Sequence, residues 1–67
     1  MVLVVSDNVA IVGYDHATRT LRVRFHSGGT YDYYEVPVFL YEAMLLPHPW
    51  RRVGRLICAH RYRRVAA

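Results

Sequence analysis

The thiol and imidazole groups of this 67-residue chain, the first candidates for a nucleophile or a zinc ligand, are Cys58 and the histidines His16, His26, His48 and His60. A cysteine nucleophile needs a base within hydrogen-bond reach. Cys58 and His60 are two residues apart and leave a helix on different faces. Cys58 also stands in an apolar stretch, where a free cysteine behaves as a small hydrophobe. The histidines fall in a turn, at a strand end and at two helix ends, without the spacing of a zinc site. Gly28 and Gly29 join two strands and open no helix, so they do not form a phosphate-cradling loop. Beside a packed core, so short a chain has little room for a cofactor cleft. The expectation is a protein with no catalytic residues, metal or cofactor, and not an enzyme.

What remains is arginine. All nine basic residues are Arg, and lysine is absent. Residues 48–67 carry Arg51, Arg52, Arg55, Arg61, Arg63 and Arg64 with no acid, a net +6. Residues 1–47 set three arginines against five acids, a net −2. A GC-rich genome accounts for the missing lysine better than for this clustering. The asymmetry calls for an anionic partner: nucleic acid, an acidic protein surface or a membrane face. Guanidinium forks bind phosphate and carboxylate alike. The six C-terminal arginines are therefore the primary candidate binding residues. No apolar run is long enough to span a membrane. The opening Met-Val-Leu-Val-Val is too short for a signal sequence. With one cysteine there is no internal disulfide, and a reducing, cytoplasmic setting is expected.

The elements that must position these groups follow from periodicity. One domain fills residues 1–67, with 1–5 and 64–67 as ragged ends. Val9 to Tyr14 is a β-branched, mostly apolar run and reads as a strand. Asp15 to Arg19 reads as a turn. In Thr20 to His26, Leu21, Val23 and Phe25 alternate with Arg22 and Arg24, as in a half-buried strand. A three-residue Ser27-Gly28-Gly29 loop pairs Phe25 with Tyr31, Arg24 with Asp32 and Val23 with Tyr33. Gly29 then takes the left-handed conformation. Pro37 opens a short amphipathic helix over Val38 to Leu46. A second helix runs from Pro49 or Trp50 to about His60. Trp50, Val53, Leu56 or Ile57, and His60 form its buried side, and Arg51, Arg52 and Arg55 its wet side. Gly54 weakens this helix by roughly 1 kcal/mol relative to Ala, or lets it sit close to the sheet. Arg61 to Ala67 is a last short strand or a basic tail. The fold class is α+β: a three-stranded antiparallel meander, two short helices and an optional C-terminal strand.

Several stretches together resemble a known family. They are Ser6-x-Asn8-Val9-x-x-Val12-Gly13-Tyr14-Asp15, then Thr20-Leu21-x-Val23-x-Phe25-x-x-Gly28-Gly29-x-Tyr31-x-Tyr33-x-x-Val36-Pro37, then Tyr41-Glu42-x-Met44-Leu45, with Ile57 and Tyr62. The set is similar to the KTSC domain, a module found alone in bacterial and phage proteins and at the C-terminus of some lysyl-tRNA synthetases. The departure lies after the first helix. The family shows Ser-x-Gly leading to an aromatic, where this chain has His48-Pro49-Trp50-Arg51-Arg52-Val53-Gly54. The resemblance implies a small α+β domain and, through the synthetase appendage, RNA contact. It implies no chemistry.

Two readings of the sheet follow. Phe25, Tyr31 and Tyr33 share a face with Leu21 and Val23 and form core. The other face would hold Val12, Tyr14, Arg22, Arg24, Asp32 and Tyr34. Aromatics interleaved with arginines there can stack bases and hold phosphates. Tyr14, Arg22, Arg24 and Tyr34 are thus secondary candidates, against a solvated face in which Arg24 pairs with Asp32. The expected function is a non-enzymatic module binding nucleic acid, with RNA favoured. The alternative is a phage-type adaptor or inhibitor docking on an acidic host protein. An exposed strand edge also offers a site for a second copy.

Overall fold

The computed structural model describes residues 2–66. Five strands form one sheet: β1 (Val2–Leu3), β2 (Val9–Asp15), β3 (Thr20–Phe25), β4 (Thr30–Tyr33) and β5 (Tyr62–Ala66). Helices α1 (Val38–Met44) and α2 (Pro49–Cys58) lie between β4 and β5. The sheet order is β1-β2-β3-β4-β5, each strand antiparallel to the next. The expected three-stranded meander is present as β2, β3 and β4, with a further strand on each edge. Residues 1–5 and 64–67, expected as ragged ends, thus contribute Val2–Leu3 and Arg64–Ala66 to strands; Met1 and Ala67 lie outside the described residues. β5 forms because Tyr62 packs on Tyr31 and Tyr33, with ring centroids at 6.0 and 5.8 Å, while the alternate residues turn to water.

The core lies on one face of the sheet, under the helices. Val9, Val12, Leu21, Val23 and Tyr33 from the strands meet Val36, Leu40, Met44 and Ile57. Of the two alternatives on α2, Ile57 is the buried one, and Leu56 is 55% exposed. α1 stops at Met44, two residues short of the expected end. Phe39 and Leu46, two apolar residues within the expected span, are exposed. Pro37 opens α1, and Pro49 stands at the first turn of α2, after His48 in a left-handed conformation. That turn is held by the His48 N–H donating to the Val5 carbonyl at 2.6 Å.

Two expectations about the sheet are corrected. The hairpin register pairs Val23 with Tyr31 and Arg22 with Asp32, two residues away from the expected pairing. The loop is His26-Ser27-Gly28. The Phe25 N–H donates to the Gly29 carbonyl at 2.9 Å, and the positive φ of 104° falls on Gly28 instead of Gly29. Both registers keep Tyr31 and Tyr33 on the core face, because a shift of two preserves the alternation. The second correction concerns β2. The ladder to β3 shifts between Val9 and Ile11, a bulge that resets the alternation. Val12 and Tyr14 therefore point into the core with their partners Val23 and Leu21, and Gly13 faces out.

Candidate nucleic-acid interface

The sheet face away from the helices holds two rows of outward residues set by the register. Leu3, Ile11, Arg24 and Thr30 form one, on neighbouring strands β1 to β4. Gly13, Arg22, Asp32 and Arg63 form the other, on β2 to β5. Arg61 extends this surface past the second row, bordering Thr18, Thr20, Tyr34 and Glu35. Adjacent strands are about 4.8 Å apart, so arginines on β3 and β5 straddle β4 at roughly 10 Å.

Among the described residues, Asp32 is the carboxylate that forms an ion pair within this arginine field. Arg22 donates from Nε to Asp32 Oδ1 at 2.7 Å and from Nη2 to Oδ2 at 3.0 Å, a side-on bidentate pair. These hydrogen bonds first, and the Asp32 charge second, hold the Arg22 pKa above its ordinary value. The expected Arg24–Asp32 pair is absent because the register sets Asp32 opposite Arg22. Among the described residues, Arg24, Arg61 and Arg63 make no ion pair. A depression of about 410 Å³ opens beside Arg22 and Asp32, lined also by Gly13, Tyr14, Asp15, Thr18, Thr20 and Tyr34.

The side chain of Tyr14 turns away from this surface. Its hydroxyl donates to the Val36 carbonyl, and its ring stacks on Tyr41 with centroids 5.0 Å apart. Of the four secondary candidates, Arg22, Arg24 and Tyr34 remain together.

The six C-terminal arginines do not form one patch. Arg51, Arg52 and Arg55 are exposed on α2, in the layer opposite the open face. Arg51 donates from Nη2 to Asp7 at 2.9 Å, both side chains 70% exposed. Arg64 lies on the helix side of β5, its guanidinium 5.9 Å from the Tyr31 ring centroid. Only Arg61 and Arg63 join the open face. The sequence division between a basic C-terminal segment and a sheet face therefore dissolves, since β5 makes the segment part of the sheet.

The remaining groups with potential chemistry lie apart. Cys58, read as a small hydrophobe of the helix, is exposed. His60 Nδ1 bonds the Tyr34 carbonyl at 3.1 Å, and His26 Nε2 bonds the Ser6 carbonyl at 3.0 Å. His16 sits edge-on to Tyr14. Among the described residues no helix is long and apolar enough to cross a membrane. Sequence reading missed Gly13, Thr18 and Thr20 as neighbours of Arg22. The one available signal was the Gly-Tyr-Asp turn, which says nothing of facing without the bulge.

The KTSC domain model matches residues 5–46, from the segment between β1 and β2 through α1. The match stops before His48, where the sequence departs from the family pattern. A protein of Tsukamurella paurometabola is 38% identical over 61 residues, covering 91% of each chain. On the extent of both matches, and with the meander and first helix as described, this chain belongs to the KTSC domain family.

Proposed function

We propose that this domain is a small, non-enzymatic binding module whose partner is single-stranded RNA, held on the open sheet face. The observation that carries the reading is Arg24, Arg61 and Arg63 on an uncovered face, free of carboxylate partners, around a single compensated pair. Unpaired cations at strand spacing suit successive phosphates of a flexible chain. The loss of Tyr14 to the core leaves Tyr34 as the aromatic of this surface. Phosphate contact and hydrogen bonding, more than base stacking, then supply the affinity.

The test is fluorescence anisotropy of a labelled oligouridine titrated with the protein at several salt concentrations. Affinity should fall linearly on a log–log plot, each neutralised phosphate adding about 0.7 to the slope for a single strand. Binding indifferent to salt, or none at low salt, would reject the reading.

A second reading rests on α2. Arg52 and Arg55 flank Leu56, which is 55% exposed, and apolar contact rimmed by arginine suits an acidic protein surface. Pull-down from lysate with and without nuclease separates the two: a nuclease-resistant protein band lost on Leu56→Asp favours α2.

A further inference from the structure

We propose that Arg22, locked in place by Asp32, is a fork that reads the O6/N7 edge of an unpaired guanine, an inference that rests on the RNA reading above. The side-on pair with Asp32 uses the Nε hydrogen and one Nη2 hydrogen. The opposite edge of the guanidinium, Nη1 with the second Nη2 hydrogen, makes no hydrogen bond among the described residues. Two parallel donors on that edge match the adjacent O6 and N7 acceptors of guanine, a pair that no other base carries on its major-groove edge. Unpaired cytosine shows adjacent acceptors at O2 and N3 on its Watson–Crick edge, and dependence on N7 separates guanine from it. Adenine offers N7 beside a donor, uracil offers O4 without N7, and cytosine presents an amine. The carboxylate fixes the plane of the fork before any ligand arrives, so less side-chain freedom is lost on binding.

The surroundings favour a base over a phosphate. Asp32 neutralises Arg22, while Arg24 and Arg63 beside it stay uncompensated and attract phosphates more strongly. The depression at the fork is lined by Gly13, Tyr14, Thr18, Thr20 and Tyr34 together with the pair itself, and the further charge on its wall is the carboxylate of Asp15, which repels a phosphate. Gly13 is the register partner of Arg22 on β2 and brings no side chain, so that flank is open. Thr18 and Thr20 present hydroxyls there, the first donating to the second at 2.9 Å. In an RNA duplex the O6/N7 edge lies in a deep, narrow groove, which makes an unpaired guanine the fitting ligand.

The full chain is titrated against an oligouridine of about a dozen nucleotides and against the same strand with one central guanosine. The guanosine should raise affinity roughly tenfold. Replacing it by the analogue with carbon in place of N7 should remove most of that gain. Arg22→Lys should abolish the preference, so that the two strands bind this variant alike; the unmodified protein with the analogue decides the matter should the variant not fold. Equal affinity for the two strands, or a preference that survives the analogue, overturns the fork and leaves the RNA reading intact. No binding of either strand overturns both.

Discussion

The indole of Trp50 lies against Gly54, one helical turn further along α2. A Cβ at Gly54 would sit 2.8 Å from Trp50 Cδ2 and 3.0 Å from Cε2. The ring packs edge-to-face on Phe25, with centroids 5.0 Å apart, and tilts against Tyr33 at 6.3 Å. Gly54 is therefore the space in which α2 keeps its own tryptophan pressed onto the sheet.

Gly54→Ala should destabilise the domain although alanine is the better helix former. The propensity gain is about 1 kcal/mol. Overpacking a close contact costs typically 1–3 kcal/mol, and a ring held by Phe25 and Tyr33 has little freedom to retreat. A lower urea midpoint with unchanged slope is the expected result; a raised midpoint would show that the indole can move.

The two neighbours Leu56 and Ile57 should behave oppositely. Ile57 is fully buried, and Ile57→Ala should cost about 2–5 kcal/mol, a large share of the stability of so small a domain. Leu56→Ala, at an exposed position, should stay within about 0.5 kcal/mol. Thermal unfolding of both variants reads the difference.

Tyr33 sets an alkaline limit. Burial pushes its pKa up from the ordinary tyrosine value, with lesser contributions from Cys58, Tyr31 and Tyr62. The folded state thus holds its proton where the unfolded state has released it. The resulting stability is complete below about pH 10, the unfolded value, and is lost as pH rises through the folded value. No lysine titrates in this range, because the chain has none. Urea midpoints at about pH 9 and 11 should diverge in the natural protein, and Tyr33→Phe should narrow that gap.

If the open face holds RNA, the double change Arg24→Ser with Arg63→Ser should lower the log–log salt slope by about 1.4, at about 0.7 per phosphate. Both side chains are exposed, so circular dichroism should be unaltered. The matching change of Arg52 and Arg55 should leave the slope as it was. The reverse outcome would move the interface to α2.

Much of the architecture was legible from local pattern. Leu21, Val23 and Phe25 alternating with Arg22 and Arg24 can bury only one side, so β3 and its inward face follow from residue types. Pro37 and Pro49 mark both helix starts, because each fixes φ and lacks an amide hydrogen that a first turn leaves unused. A three-residue hairpin loop followed from parity. Parity is blind to a slip of two, however, and the choice that placed Arg22 opposite Asp32 came from the turn at Gly28 and from β5 pairing with β4. The bulge at Ala10 is equally invisible in a run of Val, Ala, Ile and Val, since any of them suits either face. It alone carried Tyr14 into the core and Gly13 to the surface. The arginine excess of residues 48–67 was plain in composition, yet its division among α2, the open face and the Tyr31 ring depended on the chain returning to the sheet as β5. Such long-range pairing is set by packing between distant segments, and only the tertiary structure holds those contacts.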